Sequence, residues 1–149
     1  MKVYIDLCIY NRPFDDQHQP RIVIESLVFA SILSKVINRE ITIINSFVLE
    51  YENSKNPYVD RRNKIADILE LALEYIDYDL NLVNRAKELQ ILSILPLDAL
   101  HIACAEKAKA NYFITCDDSL VRKAKNQKDK IGVEIITLME SITREVFKL

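Results

Sequence analysis

The sequence predicts an α/β domain layered around a mostly parallel sheet. Three observations carry this reading: short β-branched runs alternate with helically spaced segments, no repeat or linker divides the chain, and its 149 residues are 50% hydrophobic. That length and hydrophobic share suffice to bury one core without disulfides or a structural metal. Residues 1–149 are therefore read as one domain. Strands alternating with helices imply parallel pairing with crossover helices on the sheet faces.

The elements follow in order. Val3 to Ile5 opens an apolar run that reads as a short buried strand from Lys2, with Asp6 at its C-terminal end. From Arg21 to Ile37, apolar residues recur at helical spacing through Ile24, Leu27, Val28 and Ile32, and Asn38-Arg39 ends the helix. Ile41, Ile43 and Ile44 form a second strand. Ser46 is then an N-cap for a short helix carrying Glu50 and Glu52, which Asn53 to Pro57 closes. Asp60 to Ile76 reads as an amphipathic helix with Ile65, Ile68, Leu69 and Ala72 on one face, and a further helix spans Leu80 to Leu92. A brief strand fits between them at Tyr75 to Asp79. Pro96-Leu97-Asp98 opens a helix from Asp98 to about Lys109, and Tyr112 to Thr115 is a third clear strand. A short basic helix at Leu120 to Lys125, a last strand at Val133 to Thr137 and a helical tail from Leu138 complete the chain.

Composition excludes several function classes. The chain has one glycine, Gly132, so neither a P-loop nor a dinucleotide fingerprint is present. Cys8, Cys104 and Cys116 are odd in number, scattered and without a CxxC pair, which argues for reduced thiols. Asp6 interrupts the N-terminal apolar run too early for a secretory signal, and no stretch approaches the roughly 18 apolar residues of a spanning helix. A soluble, cytoplasmic chain with no membrane association is expected.

Chemistry must then come from side chains. Ligands of open parallel sheets bind at the carboxyl ends of strands, near the point where strand order reverses. Asp6 ends the first strand, Asp117 and Asp118 follow the third, Asp98 opens the helix leading into it, and Glu50 rides the helix after the second. Four segments thus bring carboxylates toward one rim. Each also has a plainer reading. Asp98, Asp117 and Asp118 are all placed to cap helices, and Glu50 to sit on a solvated face. Asp6 is hardest to dismiss, because a carboxylate directly after a buried strand needs a partner to offset its desolvation. Converging carboxylates repel unless a cation neutralises them, and Mg²⁺ or Mn²⁺ suits all-oxygen sites that activate water against phosphodiesters.

Three segments carry a family resemblance. Asp6 after its short strand, PLDALHIACAEKAKA at residues 96–110 and YFITCDDSL at residues 112–120 together resemble the PIN-domain ribonucleases. NRPFDD at residues 11–16 is similar to one bacterial subgroup of them. The resemblance implies a three-layer α/β/α fold and a magnesium- or manganese-dependent endoribonuclease. Such proteins are often VapC-like toxins of a type II toxin–antitoxin pair, and often homodimers. By motif position, Asp6, Asp98 and Asp117 are the expected metal carboxylates, and Glu50 in SFVLEYE takes the place of the helix-borne acid, with Glu25 as fallback. Asp118 is an outer candidate, and Thr115 matches a Thr-x-Asp whose hydroxyl supports the reacting water.

The chain departs from that pattern where a Ser or Thr, and often an Asn, commonly follow the first Asp. Here Leu7 and Cys8 stand instead. Two alternatives therefore stay open: a catalytically weak interaction module, and another Mg²⁺-dependent phosphoesterase or DNA nuclease. His101, one helical turn after Asp98, reads equally as support for the site or as a satisfied buried histidine. The net charge of −2 gives no nucleic-acid signal. Locally, Arg122, Lys123, Lys125, Lys128 and Lys130 face Asp129 alone, and Arg61, Arg62 and Lys64 form a second cluster. Either suits an RNA substrate or a solvated helix face.

Overall fold

The computed structural model describes residues 1–144 and 146. Five strands form one all-parallel sheet in the order β3-β2-β1-β4-β5, and helices pack around it as a three-layer α/β/α domain. The strands are β1 (Lys2–Ile5), β2 (Thr42–Ser46), β3 (Glu74–Ile76), β4 (Tyr112–Thr115) and β5 (Glu134–Thr137). The helices are α1 (Leu7–Asn11), α2 (Pro20–Ile37), α3 (Phe47–Ser54), α4 (Val59–Leu69), α5 (Leu80–Ile91), α6 (Pro96–Lys107) and α7 (Asp118–Lys125). Parallel strands covered on both faces are apolar along their length, and β1 and β4 obey this. Val3, Tyr4, Ile5, Phe113 and Ile114 are all fully buried, with the Tyr4 and Phe113 rings stacked at 5.4 Å.

The chain reverses its direction of travel across the sheet between β1 and β4. Successive crossovers run outward from β1 through β2 to β3, and the chain then returns to add β4 on the other side of β1. Ile5 pairs with Ile114, and the Asp6 amide donates to the Ile114 carbonyl at 2.9 Å. The register therefore sets Asp6 beside Thr115 at the carboxyl edge, where that reversal opens a crevice.

Three expectations needed correction. The amphipathic helix from Asp60 stops at Leu69, not at Ile76, because Glu74–Ile76 pairs in parallel with Ile44–Ser46 as an edge strand. Neither glycine nor proline marks the stop; tertiary pairing overrides a helical apolar pattern. The helix over the 96–110 motif begins at Pro96, so Asp98 lies inside its first turn and Leu95 holds the cap position without a side-chain cap. The tail from Leu138 forms a 3₁₀ turn over Glu140–Thr143, while residues 145 and 147–149 lie outside the described residues.

The scarcity of glycine has a structural cost. Past α2 and α6 the chain makes paired hydrogen bonds from Arg39 to Val36 and Glu40 to Lys35, and from Lys109 to Glu106 and Ala110 to Ala105. These are Schellman closures, whose left-handed residue is usually glycine. Here Arg39 (φ 60°) and Lys109 (φ 55°) occupy it. Both are exposed, and Lys109→Gly should raise stability by about 1 kcal/mol in urea unfolding. Phe113→Ala, in the interior strand β4, should cost about 3–5 kcal/mol by the same measurement.

Candidate active site

Asp6 caps α1, its Oδ1 accepting from the Leu7 amide at 2.8 Å, while Oδ2 accepts from the Thr115 hydroxyl at 2.8 Å. Thr115 Oγ1 in turn accepts from the Asp117 amide at 3.1 Å. Asp117 Oδ1 caps α7 through the Leu120 amide at 3.1 Å. Capping and site placement are thus the same conformation at Asp6 and at Asp117. Both carboxylates are held by local backbone, which fixes them without a cationic side chain.

Asp98 enters from the first turn of α6 and completes the rim. Burial pushes its carboxyl up to about 6, and the negative charges of Asp6, Asp117 and Glu52 push the same way. Desolvation and like charge together disfavour ionisation there. The cleft between these groups has a volume of about 450 Å³ and is lined by Asp6, Glu52, Asp98, Asp117, Asn11, Arg12, Cys8 and Cys116.

Glu52 is the acid that sequence reasoning missed. It projects from α3 into the cleft, whereas Glu50 points elsewhere. Two residues are about 200° apart around a helix, so the two acids cannot share a face. Glu50 instead accepts from Asn45 at 3.1 Å and from the Tyr75 hydroxyl at 3.4 Å, in a separate depression bordered by α4. A signal existed: Val48, Leu49 and Asn53 form the buried side of α3, and Glu52 follows Val48 and Leu49 by four and three residues.

Glu52 is tied into a buried polar chain. His101 Nε2 lies 2.7 Å from Glu52 Oε1, His101 Nδ1 lies 2.7 Å from the Tyr4 hydroxyl, and that hydroxyl lies 2.7 Å from Ser46 Oγ. Ser46 Oγ also accepts from the Leu49 amide at 3.1 Å, capping α3. With His101 neutral, one proton assignment satisfies every member. Ser46 donates to Tyr4, Tyr4 donates to Nδ1, and Nε2–H donates to Glu52. Burial raises the Tyr4 hydroxyl well above its ordinary value, in keeping with a donor role. Single ligand atoms of Asp6, Glu52 and His101 lie within 4.8 Å of one another. Both ring nitrogens already have partners, so we read His101 as the group that orients Glu52.

The remaining predicted residues are distributed less uniformly. Glu25 is buried away from the cleft and pairs with Arg12 at 3.0 Å and Arg21 at 3.4 Å, so it reaches the site only through Arg12. Asp118 accepts both terminal nitrogens of Arg21, at 2.9 and 3.2 Å, and that bond holds its carboxyl below the ordinary range. Arg122 and Lys123 are on α7 outside the cleft lining, with Lys123 on the Ser93 carbonyl. Lys125 pairs with Glu140 at 2.8 Å and borders a different depression, with Lys128 and Glu134. Leu7 is core, and Cys8 Sγ accepts from the Cys116 amide at 3.3 Å. The Cys116 side chain, then burial and Asp6, hold the Cys8 thiol well above its ordinary value. Both Asp6 oxygens therefore have donors without a hydroxyl at position 7 or 8.

A parallel three-layer sheet with four carboxylates at its switch point defines a class of acidic-cleft α/β domains. The sequence matches the PIN domain over residues 9–126, and the chain belongs to that family. Asp6 lies just before the matched segment. No match is found among curated proteins. Among solved structures, the chain resembles one in the crystal structure of VapBC2 from Rickettsia felis bound to a DNA fragment from their promoter. The two are 19% identical with a TM-score of 0.54, over 92% of this chain and 98% of that one, a likeness of fold. Among the described residues, no helix is long and apolar enough to cross a membrane.

The raised Asp98 carboxyl makes a pH prediction. Between about pH 4 and pH 6 the folded chain keeps a proton on Asp98 that the unfolded chain has released, so stability falls as pH rises through that window. In chelator-treated protein, thermal unfolding should therefore show Asp98→Asn gaining on the unsubstituted chain as pH rises from about 4 to 7. Parallel curves would contradict the assignment.

Proposed function

We propose that the chain is a divalent-metal-dependent endoribonuclease and serves as the toxin of a type II toxin–antitoxin pair. One observation carries the enzymatic part: Asp6, Glu52, Asp98 and Asp117, from four separate segments, meet in one cleft with Arg12 as the cation lining it. That surplus of negative charge fits a hard divalent cation, and the donors are carboxylate oxygens. Family membership supports the nuclease chemistry, and the likeness to a chain of the VapBC2 structure supports the antitoxin partner.

Asp6, Asp98 and Asp117 would hold Mg²⁺ or Mn²⁺, with Glu52 in the role first given to Glu50. When bound, such an ion eases deprotonation of a water and offsets charge on the attacked phosphate and the leaving oxygen. The protein contributes positioning. Leu7 and Thr115 fix both oxygens of Asp6, His101 fixes Glu52, and the Leu120 amide fixes Asp117, so little reorganisation is needed when substrate arrives. Arg12 has Nε on Glu25 and Nη1 on Asp15, which leaves Nη2 for a phosphate oxygen. A homodimer is the expected assembly, and α2 offers the exposed side chains Ile24 and Leu27 for it.

The test is Mn²⁺-dependent cleavage of a labelled single-stranded RNA, with DNA of the same sequence in parallel. Asp6→Asn, Asp98→Asn and Glu52→Gln should each lower the RNA rate on the order of 100-fold, while Glu50→Gln stays near the unsubstituted rate. Undiminished cleavage by Asp6→Asn and Asp98→Asn would overturn the site. Preferential cleavage of DNA would overturn the substrate.

A further inference from the structure

A second groove runs out of the acidic cleft. It has a volume of about 350 Å³, lies where α3 passes into α4, and shares Asn11 and Glu52 with the cleft lining. Its floor and walls differ in character from the cleft. Tyr58 is 63% exposed, and the Arg61 guanidinium sits 4.9 Å from its ring centroid. The same guanidinium lies 5.8 Å from the Phe14 ring, and Lys64 Nζ lies 5.9 Å from it. Lys55, at the groove wall, has its ammonium 5.2 Å from the Tyr51 ring.

Two features separate this groove from an ordinary solvated face. Arg61 is held in place by Asp15 at 3.1 Å and by the Phe14 carbonyl, so the Tyr58 ring rests on an ordered cation instead of a waving side chain. Arg61 covers one face of Tyr58, and the ring's high exposure leaves the other for a ligand. The charges also differ from those of the cleft: Lys55 and Arg61 line the groove beside Asp15 and Glu52, and Lys64 stands next to it over the Phe14 ring. Among the described residues, neither lysine has an acidic partner within ion-pair distance.

We infer that this groove is a subsite for a single-stranded RNA nucleotide next to the scissile phosphate, with Tyr58 stacking the base and Lys55 and Lys64 taking flanking phosphates. The inference rests on the ribonuclease reading and adds where the strand runs. A cluster of carboxylates repels the rest of a polyanion, so a strand that reaches it needs cations nearby, and this groove supplies them directly beside Glu52. Aromatic stacking accepts any base and demands that it be unpaired, which selects single strands over duplex.

The test uses Asp98→Asn protein throughout, with a 5′-fluorescein-labelled 12-nucleotide RNA followed by anisotropy in Mg²⁺. Adding Tyr58→Ala should weaken binding about tenfold, the loss of one stacked base, and Tyr58→Phe should restore it. Lys55→Ala with Lys64→Ala should flatten the dependence of log Kd on log salt by about 1.4. Binding of the corresponding RNA duplex should not respond to Tyr58→Ala. All these residues are exposed, so folding is preserved, and Mn²⁺ affinity of the Tyr58 and lysine variants in the chain with Asp98 intact should be unchanged. Unaltered RNA affinity and salt slope in these variants would overturn the subsite, as would a fall in Mn²⁺ affinity with Tyr58→Ala. If the unsubstituted chain still cleaves RNA, that failure leaves the ribonuclease reading standing. A chain that neither binds nor cleaves RNA would overturn both.

Discussion

The parallel pairing of β1 with β4 is the constraint on which the acidic cleft depends. Ile5 opposite Ile114 puts Asp6 within reach of the Thr115 hydroxyl, and Thr115 in turn receives the Asp117 amide. A slip of one residue would turn every side chain of β1 to the other face and take the Tyr4 hydroxyl away from His101. That pairing is itself locked by fully buried side chains, above all the stacked Tyr4 and Phe113. Core packing and site geometry are therefore one arrangement. The Tyr4 ring fills the core while its hydroxyl reaches His101, and through it Glu52.

Gathering four carboxylates in a half-buried cleft works against folding, and the structure shows how the cost is contained. Asp6 and Asp117 cap short helices, so backbone N–H groups offset part of their charge. Asp98 sits in the first turn of α6, at the positive end of that helix. Glu52 receives a hydrogen bond from a histidine whose other nitrogen is also satisfied. What these devices do not remove appears in the raised Asp98 carboxyl. Such a residual cost at a cleft supports the proposed cation site.

Much of this was legible in the residues. The strand ends at Asp6 and Asp117 stood out because an apolar run gives way directly to a carboxylate, and the Pro96 helix start announced Asp98. Glu50, with Glu25 as fallback, was the acid read from the sequence, and Glu52 was not weighed; which acid of α3 faces the cleft is decided by rotation about that helix. The buried side of that short helix settles it, and Val48, Leu49 and Asn53 show it once the cap at Ser46 fixes the register. The end of α4 carried no local mark, because Ala72 and Ile76 continue a helical spacing that the β2 edge overrides. The basic stretch beyond Asp117 drew attention by composition alone. The second cluster, Arg61, Arg62 and Lys64, was equally legible by composition, but that Arg61 borders a groove beside the cleft, between the Phe14 and Tyr58 rings, appears only in the fold.

Mn²⁺ binding to the purified chain, followed by titration calorimetry, tests the central claim most directly. One site is expected, whose affinity drops about 10- to 100-fold in Glu52→Gln and more in Asp6→Asn, and which Glu50→Gln leaves intact. Equal affinity in the unsubstituted chain, Asp6→Asn and Glu52→Gln would contradict it.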